Sequence, residues 1–341
     1  KVATPYPFPA EKAKSFLNSV ERVIVFEELD PVIEDALIYL RGACGITTEI
    51  LGKRTGSVPE AGELSALAAA DSITQACGIR LGLRAPQTAD ISLPARPPVL
   101  CAGCPHRASF YAVKKAMKGR RAFFCGDIGC YTLGNAMPLD MVDTCLCMGA
   151  GFTLAQGLYH ADPSSVNFGF VGDSTFFASG ITGAVNAVYN KADMILVILD
   201  NSTTAMTGHQ QHPGMGRTAM NEPTAAVDIA SVLHGIGIAS IRTVDPLDHA
   251  AAVAAVRAAA DEKGVRAIIF RSPCIAIVKS AHTCTVDRTK CVGCRKCISE
   301  LGCPALSIRD GKAVIDKGLC TGCGLCSAVC PVKCIAKEDL S

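Results

Sequence analysis

The sequence predicts an α/β protein. Its main part is a doubly wound, mostly parallel sheet, preceded by a small α/β unit and followed by a cysteine-rich α+β domain. Three observations carry that reading. From Cys101 to about Ser280, apolar strand runs alternate with helical runs, the pattern of a parallel sheet covered on both faces. The strands are continuously apolar, as in Met194–Leu199 (MILVIL), which fits burial on both sides. Beyond residue 284, alanine and valine give way to cysteine, glycine and proline, and two similar stretches follow at a spacing of about 29 residues.

The elements follow in order. RVIVF (22–26) reads as a strand, and PVIEDALIYL (31–40) as a helix opened by a proline, a favourable first helical residue. GELSALAAADSITQACG is an alanine-rich helix stopped at Gly78, so residues 1–80 form the small unit. Residues 81–100 are proline-rich without periodicity and read as a linker. The sheet domain, 101–280, then runs helix HRASFYAVKKAMK, strand RAFFC, helix MGAGFTLAQGLYHA, strand VNFGFVG and helix FFASGITGAVNAVYN. It continues with strand DMILVILD, helix TAAVDIASVLHGIG, strand ASIRTV, helix PLDHAAAVAAVRAAADEK and strand VRAIIFRS. The cysteine-rich domain spans 285–341.

Composition narrows the function. The 341 residues are 49% hydrophobic and 19% charged, enough to build sizeable cores, and the net charge of +2 is no nucleic-acid footprint. No apolar run is long enough to cross a bilayer, and the proline-rich start is no signal peptide, so no membrane partner is expected. The chain opens on Lys1 rather than methionine and reads as part of a longer polypeptide. Nineteen cysteines, an odd number in clustered C-x2-C spacings, point to metal in a reducing compartment and hence to the cytoplasm.

Cys291, Cys294 and Cys297 form C-x2-C-x2-C and are followed by Cys303-Pro304; Cys320, Cys323 and Cys326 repeat the pattern before Cys330-Pro331. Thiols at every third residue wrap three corners of a cubane, and the fourth ligand comes from elsewhere. Zinc knuckles also use C-x2-C pairs, but they have no use for the third step. This segment resembles two-cluster bacterial ferredoxins, in which each Cys-Pro serves the other half. The resemblance implies one [4Fe-4S] cluster on Cys291, Cys294, Cys297 and Cys330, and a second on Cys320, Cys323, Cys326 and Cys303. Five residues rather than three separate Cys297 from Cys303, which implies a longer loop. Cys334 reads as a spare packed thiol, and residues 318–334 as the outer half of an electron exit.

Val171–Gln210 carries a second signal. One strand ends at Gly172-Asp173-Ser174 and opens a helix; the next ends at Asp200-Asn201. Carboxyl ends of neighbouring strands are where α/β sheets place ligands, and a helix start offers free N–H groups to phosphate. Asp173 and Asn201 supply hard oxygens suited to Mg2+. The pair resembles the GDG-x(n)-NN motif of thiamine diphosphate enzymes, with 25 residues between its halves, although an ordinary strand–turn–helix would also carry Gly-Asp. The resemblance implies Mg2+ on Asp173, Asn201 and the carbonyl of Thr203. It places Gly172, Ser174, Thr207 and Gly208 near the diphosphate, and Met148 and Gly149 under the thiazolium. His106 and His209 are candidate acid–base groups, beside the plainer role of structural histidines.

CAGCPHR, GDIGCYTLG and RSPCIA contribute Cys101, Cys104, Cys130 and Cys274. Together they resemble the cluster-bearing loops of 2-oxoacid:ferredoxin oxidoreductases and imply a possible third [4Fe-4S]. Cys125, Cys145 and Cys147 compete for the place of Cys130, buried structural thiols are the plainer reading, and Cys44, Cys77 and Cys284 read as core or surface thiols.

CAGCPHRASFYAVKKA, GDIGCYTLG, DTCLCMGAGF, GDSTFFASGITG and DNSTTAMTGHQ, followed by the double cysteine repeat, resemble the indolepyruvate-type α subunits of that family over nearly the whole chain. VIVFEELDP resembles a marker of their transketolase C-terminal-like joining domain, at 1–80. The resemblance implies oxidative decarboxylation of an aryl 2-oxoacid to acyl-CoA and CO2, with electrons leaving through the clusters to ferredoxin. A non-oxidative decarboxylase and a non-catalytic electron relay are the competing readings. The implied partners are a β subunit, the pyrimidine-binding part of the same subunit with its activating glutamate, ferredoxin and coenzyme A, in a hetero-oligomer.

Overall fold

The computed structural model describes residues 1–84 and 91–339; positions 85–90 of the expected linker lie outside the described residues. The chain divides into two compact units, Lys1–Ala95 and Arg96–Ser341. The segments 101–280 and 285–341 therefore fold together as one unit.

The first unit pairs β1 (Arg22–Ile24) in parallel with β2 (Glu49–Leu51) beside helices Ala10–Leu17, Val32–Cys44 and Ala66–Cys77. Leu17, Val25, Leu37 and Ile50 form its small core. Glu27 accepts hydrogen bonds from the free N–H groups of Ile33 and Glu34, at 2.8 and 2.9 Å, and so caps the Val32–Cys44 helix.

The second unit is built on β3 (Ala122–Cys125), β4 (Val166–Gly172), β5 (Met194–Asp200), β6 (Ser240–Val244) and β7 (Val265–Arg271). They lie in the order β3-β4-β5-β7-β6, every pair parallel. All seven residues of central β5 are buried, because each face is covered. Ile195, Val197 and Leu199 pack with helices Pro105–Ala116 and His249–Asp261. Met194, Leu196 and Ile198 pack with helices Ala150–Ala161, Ile181–Tyr189 and Ile229–Ile236. This is strand alternation read out on two covers. Truncating Leu196 to alanine would cost about 2–5 kcal/mol. Helix Ala150–Ala161 lies so close on β4 that a Cβ at Gly151 would stand 2.3 Å from the Phe170 carbonyl oxygen.

Two expected helices differ in detail. FFASGITG opens with a π turn, Phe176–Gly180, before Ile181–Tyr189 continues as α-helix. TAAVDIASVLHGIG is helical only from Ile229, because Asp228 caps it by accepting from the Ser231 N–H at 2.7 Å.

In the cysteine-rich part, β8 (His282–Val286) pairs antiparallel with β11 (Ile335–Asp339), and β9 (Leu306–Arg309) with β10 (Lys312–Ile315). Short helices Lys296–Ser299 and Leu325–Val329 follow the cysteine loops. Its apolar residues share one continuous core with helix Pro105–Ala116. Among the described residues no helix is long and apolar enough to cross a membrane.

Candidate functional site

At the carboxyl edge of the sheet, β4 and β5 deliver Asp173 and Asn201 side by side, both buried. The Asp173 carboxylate accepts from the backbone N–H groups of Ser174 (2.8 Å), Asn201 (3.1 Å) and Ser202 (2.8 Å). Three donors hold it aimed. A cleft opens beside it, lined by Gly172, Asp173, Ser174, Asn201, Thr203 and Thr207, with His106, Cys130 and Met148. The expected pocket residues therefore converge, except three. Gly208 and His209 are exposed and outside the lining, and Gly149 sits behind it, its N–H donated to Asp127 Oδ1 at 2.7 Å.

The histidine that reaches Asp173 is His212. Its Nδ1 accepts from the Gly214 N–H at 3.2 Å, which leaves the proton of the neutral ring on Nε2, 3.2 Å from Asp173 Oδ2. That Nε2 stands off the line of a hydrogen bond and has no other partner; buried Thr203 Oγ1 and Thr204 Oγ1 are likewise unpartnered. Buried polar groups normally find partners. These atoms, beside two hard oxygens and a helix start, fit a diphosphate and its cation.

His106 is buried, its Nε2 3.3 Å from Asn201 Nδ2. Burial pushes its pKa down to about 4, against the pull of Asp173, so the ring is neutral at physiological pH. Asp127 is fully buried, and burial raises its pKa; it accepts from the Tyr131 hydroxyl at 2.9 Å as well as from Gly149. This network braces GDIGCYTLG against the helix at Ala150. Neither His212 nor Asp127 was nominated by motif; their signal is only proximity in the fold.

The thiols gather in three places. Cys291, Cys294, Cys297 and Cys330 line one cavity together with Cys334, whose Sγ is 3.5 Å from that of Cys330. Cys303, Cys320, Cys323 and Cys326 line a second, together with Cys284 and Cys104. Cys284 donates its N–H to Cys320 Sγ at 3.3 Å. Cys130, Cys274 and Cys101 stand close enough to act on one another electrostatically, and the Cys274 N–H donates to the Asn201 carbonyl at 2.9 Å. The fourth expected there, buried Cys104, also lines the second cavity, and its thiol lies close enough to Cys101 for the two to interact electrostatically. Among the described residues no three His, Cys, Asp or Glu side chains close round a single ion. Burial pushes Cys323 up to about 11 and Cys104 up to about 12, so metal binding at either would release a proton.

The second cavity is walled by Ala102, Gly103, Cys104 and Arg107 of the sheet domain. Residues 318–334, expected as the outer half of an exit, thus contribute three thiols to the inner cavity. Docking of the two parts explains this. Helix Pro105–Ala116 presents Arg107, Tyr111 and Lys115 on one face, at i, i+4 and i+8. They meet Glu300, Leu301 and Gly302, residues of the longer loop before Cys303. Tyr111 donates to Glu300, Lys115 Nζ pairs with Glu300 at 3.0 Å, and Arg107 donates to the Leu301 and Gly302 carbonyls.

Residues 127–270 match the thiamine pyrophosphate enzyme C-terminal TPP-binding domain, and residues 313–336 a 4Fe-4S binding domain. Indolepyruvate oxidoreductase subunit IorA of Methanothermobacter marburgensis is 38% identical, over 99% of this chain and 55% of its own length. The subunit of the same name from Archaeoglobus fulgidus is 38% identical over 98% of this chain and 55% of its own. Pyruvate synthase subunit PorD of M. marburgensis is 45% identical over 53 residues, 16% of this chain and 62% of its own. The chain thus spans about half the length of the IorA relatives it matches. The TPP-binding sheet with its buried Asp173 and the thiol-lined iron–sulfur domain docked on it fall within one such alignment: the chain is similar to indolepyruvate oxidoreductase IorA subunits over nearly its whole length.

Proposed function

We propose that this chain carries the thiamine-, metal- and cluster-bearing part of a 2-oxoacid:ferredoxin oxidoreductase acting on an aryl 2-oxoacid such as indolepyruvate. The carrying observation is that a cleft holding Asp173, Asn201 and Thr203 and two thiol-lined cavities lie in one compact unit. The net reaction converts one 2-oxoacid and one coenzyme A thiol to acyl-CoA, CO2 and a proton, and reduces two ferredoxins by one electron each. The relatives' names support the substrate, and the 4Fe-4S match supports the acceptor.

Thiamine diphosphate, when bound, supplies the carbanion chemistry of decarboxylation, and iron–sulfur clusters carry electrons singly. Asp173, Asn201 and the Thr203 carbonyl would hold Mg2+, and Gly172, Ser174 and Thr207 would line the diphosphate site. Neutral His106 donates or accepts a hydrogen bond at the cleft floor without adding charge, and His212 stands beside Asp173 with its Nε2 free to meet the bound group. Cys291, Cys294, Cys297 and Cys330 hold one cluster; Cys303, Cys320, Cys323 and Cys326 hold another; Cys101, Cys130 and Cys274, with Cys104, hold a third. A β subunit and a pyrimidine-binding portion with the activating glutamate complete the assembly, a hetero-oligomer.

The test is an anaerobic assay of the complete oxidoreductase. Indolepyruvate should reduce ferredoxin or a viologen strictly in the presence of coenzyme A. Aldehyde release without dye reduction would replace this reading with a non-oxidative decarboxylase, and absence of thiamine binding with an electron relay. Asp173→Ala should abolish thiamine diphosphate binding in a calorimetric titration. Iron should measure about 8 per chain for two clusters or about 12 for three.

A further inference from the structure

Arg107 is a buried cation that the proposed chemistry does not use. Its residue is 4% exposed. The guanidinium donates to the carbonyl oxygens of Leu301 (2.5 Å), Gly302 (3.0 Å), Leu100 and Cys101 (3.4 Å), while its Nε has no partner. Those acceptors are neutral dipoles, and among the described residues Arg107 forms no ion pair. An isolated buried charge is costly unless an opposite charge faces it. The ionisable groups that do face it are the thiols of Cys303, Cys104, Cys323 and Cys101. Arg107 also lines the cavity of Cys303, Cys320, Cys323 and Cys326, and it is absent from the lining of the Cys291 cavity.

We propose that Arg107 is the fixed counter-charge of the inner cluster and raises that cluster's reduction potential above the value the same ligands would give without it. This rests on the reading that these thiols hold a cluster. The physics is direct. A [4Fe-4S] cluster on four thiolates is anionic and gains a further negative charge on reduction. A fixed positive charge beside it, shielded from solvent, favours the reduced state, and low local dielectric keeps the effect strong. The guanidinium cannot shed its proton, so it stays charged in either redox state. The outer cavity has the cations Arg295 in its lining and Lys312 near Cys291, but neither is buried, so solvent screens them more than it screens Arg107. Two near-identical ligand loops thereby acquire different potentials, and the inner one becomes the better electron acceptor from the sheet domain. Arg107 is a positioning residue in this scheme and ligates nothing.

The experiment is a potentiometric titration of the complete oxidoreductase followed by electron paramagnetic resonance, after iron and sulfide are counted. Arg107→Gln keeps hydrogen-bonding capacity and removes the charge; Arg107→Lys keeps the charge and loses the planar fork. The expected result is a negative shift of one cluster's potential in Arg107→Gln, with the other cluster unmoved and Arg107→Lys near wild type. Equal shifts in both variants, or no shift in either, would overturn the proposal. Loss of about four iron atoms in both would also overturn it, making Arg107 a structural tie between the two segments. If wild-type protein binds no iron, the cluster reading itself falls, an outcome distinct from iron bound with unmoved potentials.

Discussion

The cavity of Cys303, Cys320, Cys323 and Cys326 has a wall from the sheet domain, Ala102 to Cys104 and Arg107, whereas the cavity of Cys291, Cys294, Cys297 and Cys330 is lined by the cysteine-rich domain alone. None of the four inner thiols is exposed, while Cys294 of the outer set is. Each cavity also holds a further thiol, at positions that do not correspond. At the 29-residue offset, inner Cys284 matches Ala313 and outer Cys334 matches Ala305. The two repeats are near copies in ligand spacing, so the difference between the cavities comes from docking. The longer loop before Cys303 supplies Glu300, Leu301 and Gly302 to the face of helix Pro105–Ala116, and the shorter loop before Cys330 has no counterpart.

The largest expected effect would break the inner–outer distinction outright. Cys323→Ala and Cys294→Ala should each cost about four iron atoms. Only the first should stop 2-oxoacid-driven reduction of a small viologen; the second should spare the viologen and lose ferredoxin. If both variants keep viologen reduction, the inner cluster is not the first acceptor of the two.

Docking itself is tested next. Gly103 has φ +74°, and a Cβ there would lie 1.8 Å from Thr321 Oγ1. Gly103→Ala should therefore cost about 1–2 kcal/mol from the left-handed backbone and a further 1–3 kcal/mol from crowding. Differential thermal melting should show the loss, with iron depleted from the inner cavity first. An unchanged melting temperature would mean the two loops are not pressed together in solution.

The further thiols sharpen the comparison at smaller scale. Cys334→Ala and Cys284→Ala should both retain full iron by colorimetric assay, since four other thiols line each cavity. Loss of about four iron atoms from either would exchange one of the assigned ligands.

The smallest effect is at Glu300. Its carboxylate is held below the ordinary range by the Tyr111 hydroxyl, and by Lys115 against the opposing pull of burial. A depressed folded-state pKa adds stability above the ordinary glutamate value, about 4.3, and loses it as pH falls through the folded one. The pair is partly exposed, so solvent screening limits it to about 0.5–1 kcal/mol. Glu300→Gln should lower the denaturant midpoint slightly at pH 7 and not at pH 3.

Much of this was legible beforehand because it is local. The alternation of strands and helices, the double cysteine repeat and the Gly172-Asp173…Asp200-Asn201 pair are patterns over a few residues, and each became an element or a cluster of side chains where expected. Other features were not legible. His209 stood in the more suggestive motif, yet its loop turns outward and His212 faces Asp173 instead. Cys104, expected beside Cys101, sits at the N-cap of helix Pro105–Ala116 and also lines the neighbouring cavity. Asp127 lay inside GDIGCYTLG, but that motif was read for Cys130 alone.

By itself the sequence determined which thiols and oxygens gather together, because their spacing follows from backbone geometry over three or four residues. Only the tertiary structure decided which of two near-equivalent thiol loops lies against the sheet domain. That choice depends on contacts separated by nearly 200 positions, Arg107 with Leu301 and Gly302 among them, where a buried cation meets carbonyl dipoles.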